Sequence, residues 1–187
     1  MPGKNVITPE FRASYPNLIE PRKNDLNGKM EYSVVAVFAP GADLSALNKS
    51  IADLLTEKFG ADKAKWPKPM RNPIRKNEEK EKDGKLPEGY EAGGHFITLK
   101  ATQRPGLVDS NVQPIIDATQ FFAGCYARAQ VNPYYYEQKG NRGVSFGLNN
   151  VQKLRDGPAL GNRMKAEDAF EPVAEAAGAA GGDSIFD

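Results

Sequence analysis

The stretch FAGCYARAQVNPYYY, residues 122–136, alternates strictly: Cys125, Ala127, Ala129 and Val131 fall on one parity, and Tyr126, Arg128, Gln130 and Asn132 on the other. A period of two marks a strand buried on one face. Inward residues as small as alanine suit the cramped interior of a small barrel, where bulkier side chains from opposite strands must interdigitate. The outward parity then carries a phenol, a guanidinium and amides. Such a mixture can stack bases and contact phosphates, or it can be an ordinary solvated strand face.

Four further segments read as strands. Residues 6–19 form a broken or edge strand, with Phe11, Ala13 and Tyr15 on one parity, Arg12 and Ser14 on the other, and Pro9 and Pro16 interrupting it. EYSVVAVF (31–38) is apolar on both parities, which predicts burial for much of its length, and HFITLKA (95–101) and RGVSFGLNNV (142–151) complete the set. Between the second and third of these strands, Asp43 can cap a helix over 43–59 whose Leu44, Leu47, Ile51, Leu54, Leu55 and Phe59 follow helical spacing, with Gly60 as the stop. From 61 to 93 Lys, Glu, Pro and Gly dominate, including KNEEKEKDGK, and too little apolar surface is present to order the segment. A long mobile loop is expected there. Trp66 within it reads either as a loop anchor or as a base-stacking residue. Five strands and one helix predict an all-β barrel rather than a parallel α/β sheet.

The formal net charge of +1 conceals an asymmetry. All 25 basic residues precede residue 166, against 18 of the 24 acidic ones, so the first 165 residues carry a net +7 and the last 22 carry six carboxylates. A basic body with an acidic tail points to a polyanionic partner and an internal competitor for it. Basic residues also stand beside aromatic ones: Arg12 near Tyr15, Arg22 and Lys23 before Tyr32, Lys100 and Arg104 after Phe96, and Lys139 and Arg142 after Tyr134, Tyr135 and Tyr136. Sequence-tolerant binding of single strands uses this interleaving. The candidate contacts are Arg12, Tyr15, Tyr32, Lys100, Arg104, Tyr126, Arg128, Tyr134, Tyr136 and Arg142.

Several functions have little foothold. With Cys125 the sole cysteine and His95 the sole histidine, an intrachain disulfide and a Cys/His zinc site are excluded. Cys125 reads as a small core residue, and His95 as structural at a strand entry. Asp109, Asp117 and Asp156 are conceivable nuclease ligands, yet each lies in a turn-like setting where aspartate bonds the backbone. No phosphate-binding loop, nucleophile elbow or zinc-protease helix motif occurs. No apolar run nears the roughly 20 residues that span a bilayer, and the N-terminus lacks a signal-peptide core, so a cytoplasmic location is expected. No catalysis, cofactor or metal is expected.

The segments FRASYPNLIEP, RPGLVDSNVQPIID, FFAGCYARAQVNPYYY, GNRGVSFGLNNVQKLRDGPALG and RMKAEDAF, spanning 6–170 in order, resemble the phage and prophage single-stranded DNA-binding protein family. The resemblance implies a five-stranded OB-fold, similar in architecture to the single-stranded DNA-binding proteins of T7-like phages. It further implies coating of single-stranded DNA in phage replication, recombination or repair, in the bacterial host cytoplasm. The expected organisation is a DNA-binding domain over 1–165 and a flexible acidic tail over 166–187. GGDSIFD resembles the tails of other single-strand binders, so Asp183, Ile185, Phe186 and Asp187 are expected to meet replication or recombination proteins. Rival readings are an OB module that binds a protein and a carboxylate-metal nuclease; the oligomeric state, a homodimer included, stays open.

Overall fold

Alternation in the sequence becomes a wall with two faces. The computed structural model describes residues 3–161 and 169–173. Its strands are β1 (Val6–Ile7), β2 (Phe11–Lys23), β3 (Met30–Phe38), β4 (Arg75–Lys76), β5 (His95–Ala101), β6 (Gly106–Val108), β7 (Tyr126–Gln138) and β8 (Asn141–Arg155), with one α-helix, α1 (Ser45–Phe59), between β3 and β4. The pairing path runs β7, β2, β3, β5, β8, and β8 returns to β7, so five strands close a ring of OB type. Four joints are antiparallel and the β5–β8 joint is parallel. Two joints are thin: β2 meets β7 at Phe11–Ala127 and Arg12–Tyr126, and β5 meets β8 at the single pair Lys100–Gly147. The short β1, β4 and β6 are added outside the ring, on β7, β5 and β8.

The interior follows the parity read from the sequence. Ala127, Ala129 and Val131 of β7 are buried against Ala13, Val34, Ala36, Ile97, Leu99, Phe146 and Val151 from the other strands. Small and large residues complement each other, and Phe11 meets Phe38 edge-on at 5.9 Å and 74°. Cys125 lies fully buried in this core, and burial pushes its thiol pKa up. Helix α1 contributes Leu47 to the barrel core, while Leu54 and Leu55 pack with Val144 beside Trp66, Met70 and Tyr135. Asp43 acts as expected but one residue outside the cap, accepting from the Ser45 N–H at 3.0 Å, and Gly60 ends the helix at φ 88°.

One expectation is revised. The first strand splits into β1 and β2, and β2 runs on through Pro16 and Pro21 because its pairing with β3 slips twice, between Ser14 and Asn17 and between Asn17 and Arg22. A bulge removes the need for an amide hydrogen in the ladder, which is where proline is tolerated. The segment 61–93, read from the sequence as a long mobile loop, has little regular structure and is tied to the barrel at a few points. Arg71 bridges Gly143, β4 pairs with β5, Asn77 is fully buried and donates from its Nδ2 to the Glu91 carbonyl at 2.9 Å, and the Trp66 indole donates to the Gly60 carbonyl at 2.8 Å. Backbone pairing and a few anchors thus do what the missing apolar surface cannot. The tail residues Asp183, Ile185, Phe186 and Asp187, and the boundary at 165/166, lie outside the described residues.

Candidate nucleic-acid interface

Over the parallel joint, the outward faces of β5, β8 and β7 form a trench. Its floor on β8 is Ser145 and Gly147, small residues that alternate with inward Phe146 and Leu148; Gly143, on the same parity, is buried beneath Arg71 at one end. The register sets Tyr134 beside Ser145 and Tyr136 beside Gly143 on one side, and Lys100 beside Gly147 on the other. Close approach explains both glycines: a Cβ at Gly143 would lie 2.8 Å from the Arg71 Cβ and 3.0 Å from the Tyr136 hydroxyl, and one at Gly147 would lie 3.0 Å from Asn132 Oδ1. Two adjoining hollows make up the trench. One, of about 430 Å³, is lined by Lys100, Arg104, Tyr134, Gly147 and Asn149; the other, of about 370 Å³, by Arg71, Arg75, Lys80, Phe96, Thr98, Tyr136 and Ser145.

Five cations face the trench against two carboxylates. Arg75 is held by Glu79, its Nε donating at 2.7 Å, a contact that raises the guanidinium pKa and lowers that of Glu79. Lys80 lies 5.2 Å from the Phe96 ring centre, and Arg71 donates to Asn141 Oδ1 at 3.2 Å. At the other end Lys100 approaches Glu31 at 3.7 Å. Burial alone would raise the Glu31 pKa, but donation from Asn24 and Asn27, together with Lys100, outweighs it and holds the carboxyl below its ordinary 4.5. Asn24 and Asn27 belong to the β2–β3 turn, so this carboxylate also fastens that turn to the rim of the trench.

The candidate residues therefore divide. Lys100, Arg104, Tyr134 and Tyr136 meet in the trench. Tyr126 stands at the β2–β7 joint, its ring 4.0 Å from the Arg155 guanidinium and 5.9 Å from that of Arg12. Arg12 also donates to the Pro158 carbonyl at 2.6 Å, and Arg155 contacts Glu10, so this group clamps the chain after β8 onto the barrel. Arg128 donates to Gln152 Oε1 at 2.8 Å, six residues along β7 from Tyr134 and so about 20 Å away. Tyr32 shares the inward parity of Val34 and Ala36 at the barrel end. Arg142 alternates away from the parity of Ser145 and Gly147 and lies 3.7 Å from Glu137. Tyr15 is exposed on β2, two strands from β5.

Sequence reasoning over the candidate strands passed over Lys80, Thr98, Phe96 and the small floor of β8. The floor had a signal, the alternation of Gly143, Ser145 and Gly147 in RGVSFGL; Lys80 had none, because its place depends on β4. Asp109 and Asp117 occupy their own turns, accepting from the backbone N–H groups of Asn111 and Gln113 and of Thr119, and Asp156 pairs with Lys153 at 2.5 Å. Among the described residues no three His, Cys, Asp or Glu side chains converge as a metal site, and no helix is long and apolar enough to cross a membrane.

Solved structures share this fold. The single-stranded DNA-binding protein from bacteriophage Enc34, solved in complex with ssDNA, aligns with a TM-score of 0.64 at 19% identity over 84% of this chain and 89% of that one. A second structure of the Enc34 protein aligns at 0.63 and 20% identity over 89% and 90% of the two chains. The single-stranded DNA-binding protein gp2.5 of bacteriophage T7 aligns at 0.59 and 15% identity over 95% and 100%. No curated protein matches by sequence. The model of the family described as Enterobacter phage Enc34, ssDNA-binding protein, matches residues 4–180, and the chain belongs to that family.

Proposed function

We propose that this chain coats single-stranded DNA during phage replication, recombination or repair in the bacterial host, holding the strand in the trench of β5, β8 and β7 and performing no chemistry on it. One observation carries the reading: Arg71, Arg75, Lys80, Lys100 and Arg104 rim a floor of Ser145 and Gly147 that Tyr134 and Tyr136 border from β7. Cations along a groove neutralise phosphates in any sequence, and phenol rings stack on any base. A floor of small residues lets a strand lie close to the sheet. Family membership and the likeness to a protein solved with ssDNA support the same reading. No cofactor enters it. The tail over 166–187 is read as a tethered acidic competitor for the trench, and Asp183, Ile185, Phe186 and Asp187 as its contact for replication or recombination proteins.

Anisotropy titrations of labelled oligo(dT) at several salt concentrations test the proposal. Binding should weaken with a log–log slope of about −0.7 per phosphate contacted. Absent or salt-independent binding overturns the trench reading, and magnesium-dependent loss of the labelled strand overturns the non-catalytic part.

A further inference from the structure

Tyr15 has a backbone φ of 47°, a left-handed conformation that is strained for a bulky residue. It sits where the β2–β3 register slips between Ser14 and Asn17. The strain secures no burial, since Tyr15 remains 71% exposed. The surrounding chain nonetheless fixes it: Ala13 and Ser14 are buried on either side of the wall, and Asn17 donates from its Nδ2 to the Tyr15 carbonyl at 3.1 Å. Strain that over-determined surroundings maintain, and that displays a ring to solvent, belongs with sites of binding rather than of packing. Bulges re-aim side chains in this way.

The position of the ring gives it a task. Ser14 pairs with Val35 and Val35 with Thr98, so Tyr15 is two strand spacings, about 10 Å, from Thr98 on the β5 side of the trench. Tyr90 fills the interval. Its hydroxyl contacts Ser14, and its ring meets Phe96 edge-on at 5.7 Å and 74°. Phe96 lines the trench. Phe96, Tyr90 and Tyr15 thus make an aromatic succession leading out of the trench, over β3, to β2.

Resting on the trench reading, we propose that Tyr15 is a base-stacking platform at the far end of the DNA path, so that the strand crosses the barrel from Tyr134 on β7 to Tyr15 on β2. The crossing covers four strand spacings, about 19 Å. Tyr15 therefore serves longer strands and is out of reach of the shortest.

The test is a length series of oligo(dT), from about 4 to 16 nucleotides, against the full chain and its Tyr15→Ala, Tyr15→Phe and Tyr15→Gly variants, with melting temperatures recorded. Tyr15→Ala should match the parent on the shortest strands that bind and lose about tenfold or more in affinity on long ones. Tyr15→Phe should keep the parental profile. Tyr15→Gly should lose the same affinity with no fall in melting temperature, because glycine adopts this φ freely. A Tyr15→Ala profile equal to the parent at every length, or lowered equally at every length, overturns the platform while leaving the trench in place. A lower melting temperature in Tyr15→Gly assigns the ring to packing and overturns it too. A parent that binds no strand overturns both readings.

Discussion

At the scale of single residues, neighbours decide what a ring or a cation can do. Tyr126 and Tyr134 share a strand and a parity, but the Arg155 guanidinium 4.0 Å from the Tyr126 ring occupies the face a base would need, whereas Tyr134 borders the open trench. Tyr134→Ala is therefore expected to lower DNA affinity by about 1–3 kcal/mol with little change in salt slope. Lys100→Ala should reduce the slope by about 0.7. Arg128→Ala, remote from the trench, should leave both unchanged in the same titrations. Glu31 acts in the opposite sense, because it holds Lys100 at 3.7 Å in the free protein. Glu31→Gln should raise DNA affinity at neutral pH. The same carboxyl contributes to pH-dependent stability. Its folded pKa lies below the ordinary 4.5, so its contribution is present above that value and is lost as pH falls through the folded pKa. Melting curves below about pH 4.5 should show the parent losing stability faster than Glu31→Gln.

At the scale of elements, the segment over 61–93 shows how a polar stretch becomes part of a site. It brings Arg71, Arg75 and Lys80 to the trench through the Arg71–Gly143 bridge and the two-residue β4. Asn77 is the anchor between β4 and β5: its N–H donates to the Gly94 carbonyl at 3.0 Å and its Nδ2 to the Glu91 carbonyl at 2.9 Å. Asn77→Ala removes the side-chain donor to the Glu91 carbonyl, a hydrogen bond worth about 0.5–1.5 kcal/mol. The expected outcome is faster amide exchange over β4 and its neighbours, together with weaker DNA binding, while protection of the β7–β8 ladder is retained. Helix α1 behaves differently, since Leu47, Leu54 and Leu55 are buried and its apolar spacing alone announces the contact.

At the scale of the whole molecule, the proposed competition between DNA and the chain's own carboxylates rests on the charge distribution. A body of net +7 is tethered to six carboxylates in the last 22 residues. A tether keeps such a competitor at high effective concentration near the trench. Removal of residues 172–187 should therefore raise affinity for oligo(dT), with the largest gain at low salt, where charges are least screened. Equal titration curves for the two proteins at low salt would show that the tail does not compete.

Period-two and helical spacing report local burial, so the strands of the ring, the helix and the inward parity were legible in the sequence: Cys125, Ala127, Ala129 and Val131 are all in the core as read. The asymmetry of charge was legible there too, being a count. Which outward residues share a surface depends instead on contacts between strands distant in sequence. Tyr134 meets Lys100 because β5 and β8 run parallel and touch at one pair, a contact between residues 47 apart that no local pattern encodes. Tyr126 and Arg128 share a strand and parity with Tyr134, yet closure of the ring sets Tyr126 at the β2 joint and Arg128 against Gln152, away from the trench. The anchoring of 61–93 was hidden for a related reason: its hydrogen bonds run between backbone groups, and every residue carries the same ones.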